Sequence, residues 1–307
     1  MKRIIIFICI LLLIPFFIVQ IYNKNYKEIK LNYINTIYIR VKRLKTGVIE
    51  RIPLEVYIVG VLAGEMPISF DIEALKAQAV ASRSYALKRI EYNKDKDYDV
   101  VDSIMNQVYL DDNYLKDVWG NNYIKNINKL REAVNSTISE YLSCGDEIID
   151  ALFFSTSNGY TEDSDNVFNF TVPYLKSVES PWDEKLSSVF KSKTQIPLTT
   201  FYQNLGIPYD KNLHIIIEKR SSTNRILLLK INNYNFKGTD IYNKLSLKST
   251  DFKIELYGDY VLIETTGYGH GVGMSQYGAE GMAKAGYTYD KILNHYYTNT
   301  KIKKLNI

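Results

Sequence analysis

The chain has 307 residues, 46% of them hydrophobic and 23% charged, which excludes a disordered chain and suffices for one large domain or a main domain with a smaller one. A net charge of +4, with no dense Lys/Arg run interleaved with aromatics, argues against nucleic acid as a partner and leaves a polyanionic envelope polymer open. The 26 tyrosines carry no functional weight, because Ile, Lys and Asn are abundant beside them, as an AT-rich genome would produce.

Met1-Lys2-Arg3 precedes an uncharged run from Ile4 to Val19, continued by Ile21-Tyr22, that is long enough for a bilayer core of about 30 Å. A secretory signal peptide looks similar, but no small-x-small cleavage site follows and Lys24, Lys27 and Lys30 crowd the exit. A retained membrane anchor over 1–23 is therefore favoured, with a linker over 24–32 and the bulk of the chain facing outwards. Cys9 lies in the anchor and Cys144 is alone beyond it, so neither an intramolecular disulfide nor a Cys-rich zinc site is expected.

Alternation of apolar and polar residues predicts strands over 33–41 and 47–53, and 54–63 reads as a short helix. Glu65 follows in Gly64-Glu65-Met66-Pro67, where the proline is expected to hold Glu65 on an extended or turning backbone. From about Asp71 to Ile90 there is neither Gly nor Pro, and Ala, Leu, Lys, Gln and Arg predict a long helix. Its apolar arc contains Ile72, Leu75, Ala79, Val80, Ala86, Leu87 and Ile90, with Arg83 near the middle. A guanidinium there calls for either a buried acceptor or a cleft.

The polar stretch 93–102 reads as surface loop, and 117–139 has helical spacing. Strands are expected around the bend Cys144-Gly145-Asp146. Ser155 to Asp163 is a small polar loop, either the wall of a polar site or ordinary surface. Pro173 to Val178 is extended and Ser180-Pro181-Trp182-Asp183 closes it with a turn. Strands are then predicted over 215–218, 226–231, 234–237, 252–256 and 260–265, with a hairpin turn at Asn232-Asn233. In Gly267 to Ala279, alternating glycines demand positive φ or close backbone approach, and Ser275 is placed to cap a helix running to Ala285. No Lys-Ser/Thr pair makes this a phosphate loop, and His270 has no partner at metal-binding spacing.

The sum is an α+β chain: an N-terminal transmembrane helix, a mixed helix/sheet core over 33–184 and 266–307, and a β-rich subdomain over 185–265. Gly64-Glu65-Met66-Pro67, Glu73 to Arg83 and Gly269-His270-Gly271-Val272-Gly273-Met274-Ser275-Gln276 resemble, in that order, the stage II sporulation protein D family. Pro173 to Val178 and Ser180 to Asp183 extend the resemblance over nearly everything beyond the anchor.

The resemblance implies a membrane-anchored lytic transglycosylase that cuts peptidoglycan glycan strands during engulfment of the forespore, on the outer side of the cell membrane. It implies that Glu65 is the catalytic residue and that Arg83, Tyr174 and Lys176 bind the glycan. It further implies two partners, the amidase stage II sporulation protein P, which strips stem peptides, and a membrane scaffold. Some relatives hold zinc after the long helix in a pattern ending His-Cys-Gln; the matching stretch here ends Met105-Asn106-Gln107, so no metal and no cofactor are expected. Related domains enhance amidases instead, which makes a non-catalytic peptidoglycan-binding module the alternative. A plain scaffold in a membrane complex is a third reading.

Overall fold

The computed structural model describes residues 27–32, 37–168 and 170–305. The anchor expected over 1–23 and the first residues of the strand expected over 33–41 lie outside the described residues. Among those described, no helix is long and apolar enough to cross a membrane. Residues 27–32, expected as a linker, are tied to the body by hydrogen bonds from Ile29 N–H to Asn128 Oδ1 (2.7 Å) and from Asn32 N–H to Asn135 Oδ1 (2.9 Å).

Strands β1 (Tyr38–Lys42) and β2 (Ile49–Pro53) form an antiparallel hairpin leading directly into helix α1 (Leu54–Glu65). Helix α2 (Ile72–Tyr92) starts at an Asp71 cap, whose side chain accepts from Glu73 N–H at 2.9 Å. The apolar arc expected on α2 understates its burial. Ala74 and Leu75 and nearly every residue from Ala77 to Lys88 are buried, because α2 packs against α1 and against three helices introduced below. Within the polar stretch, Val100–Val101 forms β3, parallel to β1 and fully inside, which corrects the surface-loop expectation there.

The single helix expected over 117–139 is two, α3 (Asp112–Trp119) and α4 (Tyr123–Ser136), broken at Gly120 with φ +47°. Strands β4 (Glu140–Cys144) and β5 (Glu147–Ile148) close the expected bend, and β6 (Phe153–Phe154) follows. After the short helices α5 (Ser164–Val167) and α6 (Asp183–Leu186), the chain enters a β-rich part with its own core. That part holds β7 (Lys191–Pro197), α7 (Leu198–Leu205), β8 (Ile215–Arg220), β9 (Ile226–Ile231), β10 (Tyr234–Lys237), α8 (Gly238–Lys244), β11 (Phe252–Tyr257) and β12 (Tyr260–Thr266). Its two antiparallel sheets, β10-β9-β8 and β11-β12-β7, enclose Phe201, Leu229, Ile231, Val261 and Ile263.

Gly267 N–H donates to Phe190 C=O at 2.7 Å, so the chain leaves for the β-rich part and returns from it at one place. Strand β13 (Met274–Ser275) then pairs in parallel with β6, helix α9 (Gln276–Lys284) starts on the Ser275 cap, and α10 (Tyr289–Tyr296) and β14 (Lys301–Lys304) finish the main core. Helices α4, α9 and α10 are the three that surround α2 together with α1. The mixed helix/sheet content is that of an α+β protein.

Candidate active site

Glu65 is the last residue of α1, not part of an extended loop. The residue held extended by Pro67 is Met66 (φ −123°, ψ 141°), as the steric clash of the proline ring with its immediate predecessor requires. Within the last two turns of α1, Gly60 and Gly64 let the segment 108–110 lie directly on the helix: a Cβ at Gly64 would sit 2.6 Å from the Val108 carbonyl oxygen. That contact is close enough for Val108 N–H to donate to Glu65 Oε1 at 2.6 Å. On the other side, the Gln276 amide reaches Glu65 Oε2 at 3.5 Å, a long and weak hydrogen bond.

The carboxyl opens into a cleft of about 620 Å³ whose lining includes Tyr85, Asn106, Phe154, Phe168, Tyr242, Tyr268 and His270. Among the described residues, Glu65 is the only carboxyl side chain on that lining. Burial pushes the Glu65 carboxyl above its usual range, against the opposing pull of the bonds from Val108 and Gln276. The C-terminal end of α1, where unpaired carbonyls carry partial negative charge, acts in the same direction as burial.

Gln276 is held in place from behind. Ser275 Oγ accepts from Gly278 N–H at 3.2 Å and donates to Asp183, a buried carboxylate that also accepts from Ser157 N–H (2.8 Å) and Ser180 Oγ (2.7 Å). Burial raises the Asp183 pKa while these donors oppose the rise. Gly267, Gly269, Gly271 and Gly273 all have positive φ, between +82° and +114°, so the expected demand for left-handed backbone is met at alternate residues. Close approach is required as well, since a Cβ at Gly273 would lie 2.0 Å from the Leu152 carbonyl oxygen.

His270 projects from this loop between Phe154 and Phe168, with ring centroids 5.7 and 5.5 Å away. Its Nδ1 accepts from Val272 N–H at 3.1 Å. Burial, and the nearby Arg225 guanidinium, lower its pKa to about 4, so the ring is neutral and carries its proton on Nε2.

Of the four residues expected in the site, the structure brings only Glu65 to this cleft. Arg83 is wholly buried: its Nη2 meets Glu55 Oε2 at 2.6 Å, Nε meets Glu55 Oε1 at 2.9 Å, and Nη1 donates to the Glu140 carbonyl at 3.0 Å. This is the buried acceptor left open by the sequence, and it takes Arg83 out of reach of a ligand. Tyr174 stands one layer behind the cleft. Its hydroxyl accepts from Asp150 N–H at 3.3 Å, Asp150 pairs with Arg89, and Arg89 lies 4.6 Å above the ring of Tyr85, which does line the cleft. Lys176 is half-exposed, 3.8 Å from Asp163, and is not on the lining either.

In the stretch ending Met105-Asn106-Gln107, Asn106 donates to the Tyr85 hydroxyl at 2.9 Å and Gln107 accepts from the Tyr57 hydroxyl at 3.1 Å. Among the described residues no cluster of His, Cys, Asp and Glu could hold a metal ion. The roles of Gln276, Tyr85, Tyr242 and Tyr268 escaped the sequence reading, for only the tertiary fold brings them to the cleft that Glu65 lines.

The family model described as stage II sporulation protein matches residues 42–143, which contain α1, Glu65 and α2. Stage II sporulation protein D of Bacillus subtilis (strain 168) is 42% identical over 271 residues, covering 87% of this chain and 79% of the relative. The chain belongs to the stage II sporulation protein D family. Its counterpart in Bacillus amyloliquefaciens is 40% identical over 269 residues, covering 86% of this chain and 78% of that relative. A protein named amidase enhancer, from Bacillus subtilis (strain 168), is 29% identical over 300 residues, covering 79% of this chain but 40% of its own length. These two stage II sporulation D proteins thus share most of their length with this chain.

Proposed function

We propose that the protein is a peptidoglycan lytic transglycosylase of sporulation, with Glu65 as its single catalytic acid and base. The observation that carries this reading is the lone carboxyl on an aromatic-lined cleft, with its pKa pushed upward. Hydrolysis by the usual glycosidase scheme takes two carboxyl groups, about 5–5.5 Å apart for retention or 6.5–9.5 Å for inversion. Transglycosylation needs one. Protonated Glu65 gives its proton to the bridging oxygen as the glycosidic bond breaks. The resulting carboxylate then takes the proton of the muramyl C6 hydroxyl as that oxygen bonds to the anomeric carbon, leaving a 1,6-anhydro end and consuming no water.

A raised pKa serves the first half of this cycle, because an ordinary glutamic acid near 4.3 is almost wholly ionised at neutral pH. Arg83 held on Glu55 is consistent with it too, for a guanidinium placed against Glu65 would drive the carboxyl the other way. The cell setting in this proposal is the outer side of the cell membrane, with residues 1–23 as anchor. The glycan is stripped of stems by stage II sporulation protein P during engulfment, alongside a membrane scaffold.

A second reading is favoured by the relative named amidase enhancer: a module that binds peptidoglycan and speeds a partner amidase without cutting glycan. Mass spectrometry of purified glycan after incubation separates the two. The enzyme yields 1,6-anhydro-muramyl products that vanish with Glu65→Gln. Activity retained by that variant, or an effect confined to an added amidase, would overturn the assignment.

A further inference from the structure

Ile104 and Met105 are 93% and 77% exposed, and among the described residues neither packs against a hydrophobic core. A single apolar side chain in water is ordinary. Two in succession, both on the lining of the Glu65 cleft, form an apolar rim that gains a partner only when the cleft is occupied. Side chains that bury so little add next to nothing to folding.

The rim is fastened to the acid. Ser103 N–H donates to the Val101 carbonyl at 2.8 Å, Asn106 N–H to the Ser103 carbonyl at 2.9 Å, and Val101 N–H to Asn106 Oδ1 at 2.9 Å, so 101–106 closes on itself as a turn. The Asn106 amide also donates to the Tyr85 hydroxyl at 2.9 Å, and two residues further on Val108 N–H donates to Glu65 at 2.6 Å. Ile104 and Met105 therefore stand on the outside of a braced turn whose continuation holds the carboxyl.

A lone carboxylate does not choose the nucleophile that it activates. If it takes the proton of the C6 hydroxyl, that oxygen bonds to the anomeric carbon and the new end is an anhydro sugar. If it takes a proton from water, the water oxygen bonds there instead and the end is an ordinary reducing sugar, heavier by one water. The partition depends on whether water reaches the anomeric carbon.

We propose that Ile104 and Met105 keep water from that carbon and so fix the outcome as ring closure rather than hydrolysis. This rests on the reading of Glu65 as the acid and base of a glycan-cutting cleft. A strand seated in the cleft brings the two side chains onto the sugar beside Glu65, where they give up their own hydration and leave the C6 hydroxyl as the nucleophile within reach.

The test incubates the full chain with stem-free glycan in heavy-oxygen water and reads the new ends by mass spectrometry. The parent is expected to leave anhydro ends. The double variant Ile104→Ser/Met105→Ser raises the share of labelled reducing ends about tenfold, Ile104→Leu/Met105→Leu keeps the parent's share, and both variants melt with the parent. Should the serine pair cut too slowly to score, the single variants Ile104→Ser and Met105→Ser carry the same readout. An unchanged share in the serine variants overturns the water-excluding role alone. A parent that makes no cut, or leaves labelled reducing ends only, overturns the transglycosylase reading and this inference with it.

Discussion

Glu65 and His270 share one cleft and answer to burial in opposite senses. A carboxyl whose folded pKa is raised adds stability that is complete below its unfolded pKa and is lost as pH rises through the folded value. Removing the titrating group should therefore stabilise the protein at neutral pH. Glu65→Gln is expected to melt above the parent at pH 7, with the gap closing as the pH is lowered toward the ordinary carboxyl range; Gln can still accept from Val108 N–H. For His270, neutral down to about pH 4, the sign reverses: stability present above the unfolded pKa of about 6.5 is lost as pH falls toward 4. In urea titrations, His270→Gln should flatten that fall.

Arg83 shows what a helical wheel can and cannot tell. A guanidinium on the buried side of α2 announces a partner, but Glu55 lies 28 residues earlier on another helix, and no spacing rule connects the two. Breaking a buried pair on one side strands the other charge, at about 3–5 kcal/mol. Arg83→Met should lower stability by that amount, and adding Glu55→Leu should recover much of it. The KM for glycan in the molecules that stay folded is expected not to move.

At the level of elements, most strands of the β-rich part were plain from the sequence, because β-branched runs bounded by turn residues leave little choice; 226–231 and 234–237 are found as read, around Asn232 at φ +51°, whereas β7, a Lys-, Ser- and Thr-rich run, was missed. Helices α7 and α8, short and wedged between those strands, were missed. So was the break at Gly120, where helical spacing continues across a residue that ends the helix. The seat of Glu65 at the end of α1 was misjudged by one residue, since the proline acts on Met66.

The glycine turn was readable as a demand for left-handed backbone, though not as the mount for His270 and Tyr268. Gly273→Ala combines positive φ with a backbone oxygen 2.0 Å from the new carbon. Its cost should exceed the roughly 1–3 kcal/mol of strain alone, read as a drop in the urea midpoint. Turnover should fall with it, because β13 begins at the next residue and leads straight to Gln276.

Over the whole molecule, the cleft is assembled from α1, the segment 104–106, β6 with its flanks, the glycine turn and Tyr242 of α8. These stretches are spread over more than half the chain, so no local pattern could have revealed the cavity; the acid and the glycine turn each had a recognisable neighbourhood, but nothing in the sequence joined them. The junction itself is tight. Arg225, just ahead of β9, is 2% exposed and lies 3.8 Å from the equally buried Glu162, and its guanidinium presses on Gly271 so closely that a Cβ there would be 2.7 Å away. A side chain of the second core thus bears on the turn that carries His270.

The meeting of Phe190 with Gly267 gives the outlying part a single doorway. Whatever lies beyond that doorway can be lengthened, trimmed or exchanged at its far hairpins without re-threading the body that holds the acid. On the glycan-cutting function proposed above, lineages that face walls of different thickness or cross-linking can refit the outer flank of the groove in this way and keep Glu65 untouched.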